Sequence, residues 1–138
     1  RTKSLFIKFE VCIDPCGKAI RLNNINFNLD KSDILPASEP DLMYVVNLMK
    51  KNPGVKVELS SHTDSRASNA YNQKLSQRRA DSSVNYIVSK GIDRSRLISR
   101  GAGETELLNK CADKVPCTEE EHRINRRTEF KILCVDKY

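Results

Sequence analysis

One segment of this 138-residue chain, "SHTDSRASNAYNQKLSQRRA", brings together an acidic and a basic residue that could bind a charged ligand. Asp64 follows an alternating run that is typical of a strand, and Arg79 lies in a later run with helical spacing. On a helical wheel Arg79 falls inside the apolar arc, whereas Arg78 falls at its edge. Because a guanidinium that faces the protein must be paired or must line a wet cleft, we expect Arg79 to have an internal role.

Two interpretations of Arg79 remain open from residue types alone. It can form a structural ion pair that ties the helix to the sheet, or it can bind an anionic group at the rim of a pocket. Asp64 is expected just beyond the carboxyl end of a strand, where open α/β sheets place their ligands. An amino-acid head group would suit this pair, with its ammonium on Asp64 and its carboxylate on Arg79.

The elements that must position these residues follow from hydrophobic periodicity and turn residues. Strands alternate with helices, which predicts an α/β (α+β) fold: a two-layer sandwich of β-α-β-α-β plus a final strand, with a mixed sheet and both helices on one face. We expect residues 1–20 to form an N-terminal arm and residues 21–138 to form the domain. The predicted segments are a strand at 20–27, a helix from the cap Ser38 to before Asn52, a strand from Val55, a helix at 68–90, a strand at 96–101, a loop at 104–124 and a last strand in "RRTEFKILCV".

Charge and composition narrow the classes of partner. The net charge of +6 and the pI near 9.1 favour an acidic partner. Aromatic residues make up only 6%, and basic residues alternate with acidic ones, which argues against nucleic acid. No apolar run approaches the roughly 18 residues of a membrane span. The chain begins at Arg1 without an initiator Met or an apolar signal segment, so we expect a fragment or a processed product.

Five cysteines are many for a short chain in a reducing compartment. Cys111 and Cys117 bracket the short loop "CADKVPC", which favours a disulfide and an exported, oxidising location. The alternative is a zinc site that also uses His122 and Cys134, but its spacing is looser than the common structural pattern. A second candidate disulfide joins Cys12 and Cys16.

A catalytic centre is not expected. The chain has two histidines and no Ser or Cys nucleophile within a recognisable motif. We expect His62 to satisfy hydrogen bonds at a strand end and His122 to lie in a solvated, charged segment. Tyr71 is expected in the core. The sequence "GAGE" at 101–104 opens no clear helix, so we reject a dinucleotide site, and we expect no cofactor.

The same segment, extended to "HTDSRASNAYNQKLSQRRADSSVNYIVSKGIDRSRLISRGAGE" and joined by "NRRTEF" at 125–130, resembles the OmpA-like C-terminal domain that associates with peptidoglycan. The resemblance covers about residues 22–132. The segment "CADKVPCTEEEHRINRRTEF" is similar to the version of this domain found in the Bacteroidota. The chain departs from the family pattern at Asn28, where Asp is usual, and in its turn at 65–68, which lacks the Gly often found there.

The resemblance implies a ligand and the residues that bind it. The family binds the peptide stem of peptidoglycan, whose diaminopimelate residue carries a free amino-acid head group, and its paired Asp and Arg match Asp64 and Arg79. It further implies that Thr63 and Asn72 line the pocket, that Arg126 approaches the terminal part of the peptide, and that backbone groups near Leu29 and Asp30 contact the ligand.

We therefore expect a non-catalytic module that binds the peptidoglycan stem peptide and anchors a larger envelope protein or machine, such as a secretion system, to the cell wall. The implied location is the periplasm, in association with the outer membrane or the wall. Other envelope proteins are expected partners through regions beyond this chain. Two alternatives are a periplasmic protein–protein interaction module and, less favoured, a wall hydrolase.

Overall fold

The computed structural model describes residues 19–22, 25–28 and 31–133. Its elements are β1 (Ala19–Leu22), α1 (Glu39–Lys51), β2 (Lys56–His62), α2 (Asn69–Ser89), β3 (Leu97–Gly103), α3 (Glu119–Asn125) and β4 (Arg127–Leu133), with short 3₁₀ turns at Pro36–Ser38 and Arg94–Arg96. Nearly all of the expected arm at 1–20 lies outside the described residues, so that boundary stays a prediction. So do the roles of Leu29, Asp30, Cys12, Cys16 and Cys134.

The four described strands form one mixed sheet in the order β1-β4-β2-β3. β2 pairs with β3 in parallel, while β4 runs antiparallel to both β1 and β2. The crossover helix α2 packs on β2 and β3, and α1 packs beside α2, so the fold is the predicted two-layer sandwich. None of the described helices combines the length and the apolarity that crossing a membrane requires.

The core lies between the helices and one face of the sheet. In α1 the apolar residues recur at helical spacing, and in β2 and β4 they alternate, so each element presents one apolar side. Burial of each such side chain contributes about 1.5–3 kcal/mol. The side chains of this core that are fully or almost fully buried include Leu42, Val45, Val46, Met49, Val57, Leu59, Ile87, Phe130 and Ile132.

Helix α2 begins and ends where its sequence signals predict. The hydroxyl of Ser68 accepts a hydrogen bond from the backbone N–H of Tyr71 at 3.1 Å, which satisfies one of the free N–H groups of the first turn. Beyond the last turn, Gly91 adopts a φ of +104°, a conformation that other residues rarely adopt. These two ends fix the register of the helix and hence the direction of every side chain that it carries.

The first glycine of "GAGE", Gly101, has a packing role. A Cβ on Gly101 would lie 2.3 Å from the backbone N of Gln77 and 2.5 Å from its Cα. Only glycine lets β3 approach α2 this closely, because real Cβ atoms do not reach such distances. The backbone N–H of Gly101 also donates to the Gln77 side-chain oxygen at 2.9 Å. This contact seats α2 on the parallel strand pair.

Three sequence-based expectations were wrong, wholly or in part. The expected loop at 104–124 contains the start of α3, because Thr118 and Glu121 form a reciprocal capping box that starts a helix. His122, expected in a solvated segment, is buried on this helix. The first strand is shorter than the predicted 20–27: β1 ends at Leu22, and residues 25–28 have no regular structure.

Candidate functional site

A cavity of about 510 Å³ opens at the carboxyl end of β2. Its walls come from the segment 25–27, the end of β2 and the turn after it, one face of α2, and α3 with the start of β4. Every described residue that the sequence singled out for ligand binding lines it. These are Thr63, Asp64, Asn72, Arg79 and Arg126.

The turn that carries Asp64 is held from two sides. The backbone N–H of Thr63 donates to the carbonyl of Gly103 at 2.8 Å, which extends the β2–β3 pairing past the end of the strand. The side-chain amide of Asn72 donates to the carbonyls of Asp64 and Arg66 and to the carboxylate of Glu104. Asn72 therefore positions the turn, and direct contact between Asn72 and a ligand stays a prediction.

Asp64 is enclosed by arginines. Its Oδ1 accepts from the backbone N–H of Arg66 at 3.0 Å, and its Oδ2 accepts from the Arg66 guanidinium at 2.8 Å and from Arg126 at 2.8 Å. Burial by itself would raise the pKa of Asp64, but the bonds from Arg66 and Arg126 outweigh it and hold that pKa below its ordinary value. The carboxylate is therefore ionised at neutral pH.

Arg79 approaches the cavity from α2. Its Nε donates to the carbonyl of Lys31 at 2.8 Å and its Nη2 to the carbonyl of Asn28 at 3.2 Å. Its guanidinium lies over the ring of Phe27, 4.8 Å from the ring centroid. The neighbouring Arg78, which the helical wheel placed at the edge of the apolar arc, is exposed. Arg79 is thus fixed against the segment before α1 while it lines the pocket.

Asp64 and Arg79 do not bond each other, because the carboxylate of Asp64 is bound by Arg66 and Arg126 instead. The two residues line different walls of one cavity. Among the described lining residues, four arginines stand against two carboxylates, so the cavity favours a ligand with net negative charge. A ligand that carries both an ammonium and carboxylates could be received by both walls.

His62 is the last residue of β2 and is one of the residues that line the pocket. Its Nε2 lies 3.0 Å from the hydroxyl of Ser60, and within the described chain its buried Nδ1 has no partner. The expectation that His62 would satisfy its hydrogen bonds is therefore only half met. Burial and the nearby Arg127 lower the pKa of His62 from 6.5 to about 4. The imidazole is therefore neutral at pH 7, and a pKa so far below 7 makes it a weak base, which suits a packing role better than proton transfer.

The predicted disulfide between Cys111 and Cys117 is present, with 6.0 Å between the Cα atoms. Because these sulfurs are bonded to each other, they are not the thiolates that the zinc alternative requires. Cys111 is fully buried, and its carbonyl accepts a hydrogen bond from the hydroxyl of Ser65. The disulfide loop therefore supports the turn that carries Asp64.

The sequence reasoning missed several residues at the site, among them Arg66, Glu119 and Tyr71. Arg66 and Glu119 both line the pocket and are bonded to each other at 2.9 Å. The Thr-x-x-Glu pattern at 118–121 would have placed Glu119 in the first turn of a helix, but Arg66 carried no comparable signal. Tyr71, expected in the core, is 36% exposed and lines the pocket. It lies on the first turn of α2, beyond the end of the sheet.

Known proteins share both the sequence and the fold. The chain is 37% identical to outer membrane porin F of Pseudomonas fluorescens over 119 residues, which covers 86% of this chain and 35% of the porin. Its fold is similar to that of the cell wall anchor of the T6SS from Pseudomonas aeruginosa, with 25% identity, a TM-score of 0.67, and coverage of 85% of this chain and 80% of the anchor.

The fold is also similar to that of the peptidoglycan-associated lipoprotein from Burkholderia pseudomallei, with a TM-score of 0.69 at 18% identity, over 78% of this chain and 87% of the lipoprotein. The chain spans about a third of the length of the porin that it matches. The OmpA family model matches residues 26–120, which is well over half of the chain and holds most of the pocket. The chain belongs to the OmpA family.

Proposed function

We propose that this chain is a non-catalytic module that binds the peptide stem of peptidoglycan through the diaminopimelate head group. The observation that carries the proposal is that Asp64, from the turn after β2, and Arg79, from α2, both line one cavity. In this arrangement Asp64 receives the ligand's ammonium and Arg79 its carboxylate, through charge-assisted hydrogen bonds. The chain thereby anchors a larger envelope protein to the wall, in the periplasm and in association with the outer membrane or the wall.

The charge of the cavity supports this choice of ligand. A peptide stem presents free carboxylates, and the described lining holds more arginines than acids. Ile25, Phe27 and Leu75 supply an apolar part of the wall, against which an aliphatic side chain can lie. The names of two relatives, a peptidoglycan-associated lipoprotein and a cell wall anchor, agree with a role at the wall.

The head-group model predicts that the site prefers diaminopimelate stems to lysine stems. A lysine stem offers an ammonium but no second carboxylate, so its bond to Arg79 would be lost. Loss of one charge-assisted hydrogen bond costs about 1–3 kcal/mol, which corresponds to an affinity that is weaker by about 5-fold to 150-fold. We expect isothermal titration to give tighter binding of a diaminopimelate muropeptide than of its lysine analogue. Equal affinities would remove the head-group model.

The central test is a pull-down of the protein with purified sacculi. Arg79→Ala and Asp64→Asn should each abolish the interaction, because each removes one of the two ligand contacts. Arg78→Ala is the matched control, since it deletes the same charge one position away on the exposed side of α2. Thermal unfolding must show that the two pocket variants remain folded. A variant that unfolds would instead favour a structural role for its side chain.

The same experiment separates the alternatives. A hydrolase would release soluble fragments from the sacculi, which binding alone cannot do. A protein-interaction module would leave the sacculi unbound and would capture a protein partner independently of Asp64 and Arg79. The Bacteroidota origin and the parent machine, such as a secretion system, are extensions of this proposal that rest on the sequence resemblance.

A further inference from the structure

The cavity contains an ion-pair ring that closes over Asp64. Arg66 bridges Asp64 and Glu119 at 2.8 and 2.9 Å, and Arg126 bridges the same two acids at 2.8 and 2.6 Å. We call these four residues the arginine–carboxylate ring. Because both acids are shared by both arginines, each acid is already neutralised before any ligand arrives.

The ring fills the place that the ligand's ammonium needs. Both oxygens of Asp64 already accept hydrogen bonds, and Oδ2 accepts from two guanidinium groups. An ammonium that reaches this carboxylate must therefore displace a guanidinium or share its oxygen. The Asp64 side chain is only 8% exposed, so it has little open surface on which a third cation could bind.

Arg66 is the cation that can leave. Its side chain is 51% exposed, against 30% for Arg126, so less burial is lost when it moves. Once displaced, Arg66 can keep its ion pair with Glu119, which is itself 61% exposed. The bond from the Arg66 backbone N–H to Asp64 does not depend on the side chain, so the carboxylate keeps its orientation.

We propose that Arg66 is an internal competitor that occupies the ammonium position on Asp64 and lowers the affinity for any ligand that places an amine there. This inference rests on the proposed function. A lone amine must displace Arg66 with no other gain, whereas a zwitterionic head group also gains the contact with Arg79. Displacement of Arg66 therefore adds a free-energy cost to binding, and a ligand that carries both charges can offset this cost through its contact with Arg79.

The test is isothermal titration of the Arg66→Ala protein with two synthetic stem peptides, one with diaminopimelate and one with a desamino analogue that keeps the carboxylate. Removal of an exposed ion-pair partner should tighten binding of the amine-bearing peptide about fivefold. Affinity for the desamino peptide should be unchanged or weaker, because that peptide has no ammonium to place on Asp64. Arg66→Gln, which keeps most of the side-chain stem, serves as a second variant in case Arg66→Ala fails to fold.

Arg123→Ala is the matched control. Arg123 lies on α3, is exposed, and pairs with Glu120, so its loss changes the net charge by the same amount outside the pocket. Weaker or unchanged binding of the amine-bearing peptide by Arg66→Ala would overturn the inference, since Arg66 would then contact the ligand or be irrelevant to it. An equal gain for both peptides would also overturn it.

The failure of this inference can be told apart from the failure of the proposed function. If the wild-type protein binds the diaminopimelate peptide and loses it on Arg79→Ala, but Arg66→Ala brings no gain, only the competitor role is wrong. If the wild-type protein shows no binding that depends on Asp64 and Arg79, both are wrong.

Discussion

Arginine side chains hold the chain at both ends of β2, but they bond to different groups. At the amino end, Arg96 donates to three backbone carbonyls of the turn between α1 and β2. At the carboxyl end, Arg66 and Arg126 donate to the carboxylate of Asp64. The three carbonyls that Arg96 binds, at 2.8 to 3.0 Å, belong to Met49, Asn52 and Val55.

The two ends of β2 differ in whether a ligand can reach the groups that accept hydrogen bonds from the arginines. The carbonyls at the amino end belong to a fixed turn, so the Arg96 bonds add only to stability. The carboxylates at the carboxyl end line an open cavity, where another cation can compete for them. The comparison indicates that Arg96, bonded to backbone away from the cavity, stabilises the fold, whereas Arg66, bonded to carboxylates inside the cavity, can be exchanged for a ligand.

The largest expected effects come from one arginine at each end of β2: the substitution of Arg96 should mainly reduce stability, and the substitution of Arg79 should mainly reduce binding. Arg96→Ala removes three hydrogen bonds to backbone carbonyls and, at about 1 kcal/mol for each bond, should lower the free energy of unfolding by about 3 kcal/mol. Sacculus binding by the folded fraction should be retained. Arg79→Ala should instead abolish binding, and because it also removes two hydrogen bonds to backbone carbonyls, it should lower the free energy of unfolding by about 1–2 kcal/mol, less than Arg96→Ala. Urea unfolding and pull-down, measured on both variants, check this.

Arg94→Ala is the control for Arg96. Arg94 is exposed and donates to the side chain of Asn85, so its loss should change the free energy of unfolding by less than about 0.5 kcal/mol. If Arg96→Ala were as mild as Arg94→Ala, the amino end would not depend on the guanidinium, and the contrast between the two ends would fail.

The second effect is a loss of stability in acid at the pocket end. The pKa of His62 is about 4 in the folded chain and near 6.5 in the unfolded chain, so the unfolded state takes up the proton first. Its contribution is fully present above pH 6.5 and is lost as the pH falls toward 4. We expect a loss on the order of 2 kcal/mol across this window.

Urea unfolding at pH 7.5 and pH 4.5 measures this loss in the wild-type and His62→Gln proteins. Carboxylates with lowered pKa, including those of Asp64 and Glu106, also lose stability in acid, but they are common to both proteins. The difference between the two pH slopes therefore isolates His62. Parallel slopes would show that His62 is not protonated in this range.

The smallest effect comes from the turn that joins β2 to α2. Ala67 has a φ of +73°, a left-handed conformation that costs a residue with a Cβ about 1 kcal/mol. Ala67→Gly should therefore raise the free energy of unfolding by up to about 1 kcal/mol. Ala112→Gly, at a loop position without positive φ, should instead lower it by a few tenths. Thermal unfolding of each protein checks this prediction. If the two substitutions changed the stability in the same direction, backbone strain at Ala67 would not be the cause.

Periodicity predicted the elements that carry an apolar face. The alternation of Val55, Val57 and Leu59 and the helical spacing of Leu42, Val45 and Met49 placed β2 and α1 to within a few residues. Helix α3 was missed because it is short and polar and has little apolar face. Its signal was local, in the capping box of Thr118 and Glu121.

The sequence by itself determined that Arg79 points toward the protein and that Asp64 lies past the end of β2, because both follow from local periodicity and register. It also indicated the Cys111–Cys117 bond, because the short loop keeps the two sulfurs within reach. Only the tertiary structure decided that Arg66, Arg126 and Glu119 meet at Asp64. Ion pairs between segments so far apart in the chain depend on how β4 and α3 pack beside β2, and no local pattern records that packing.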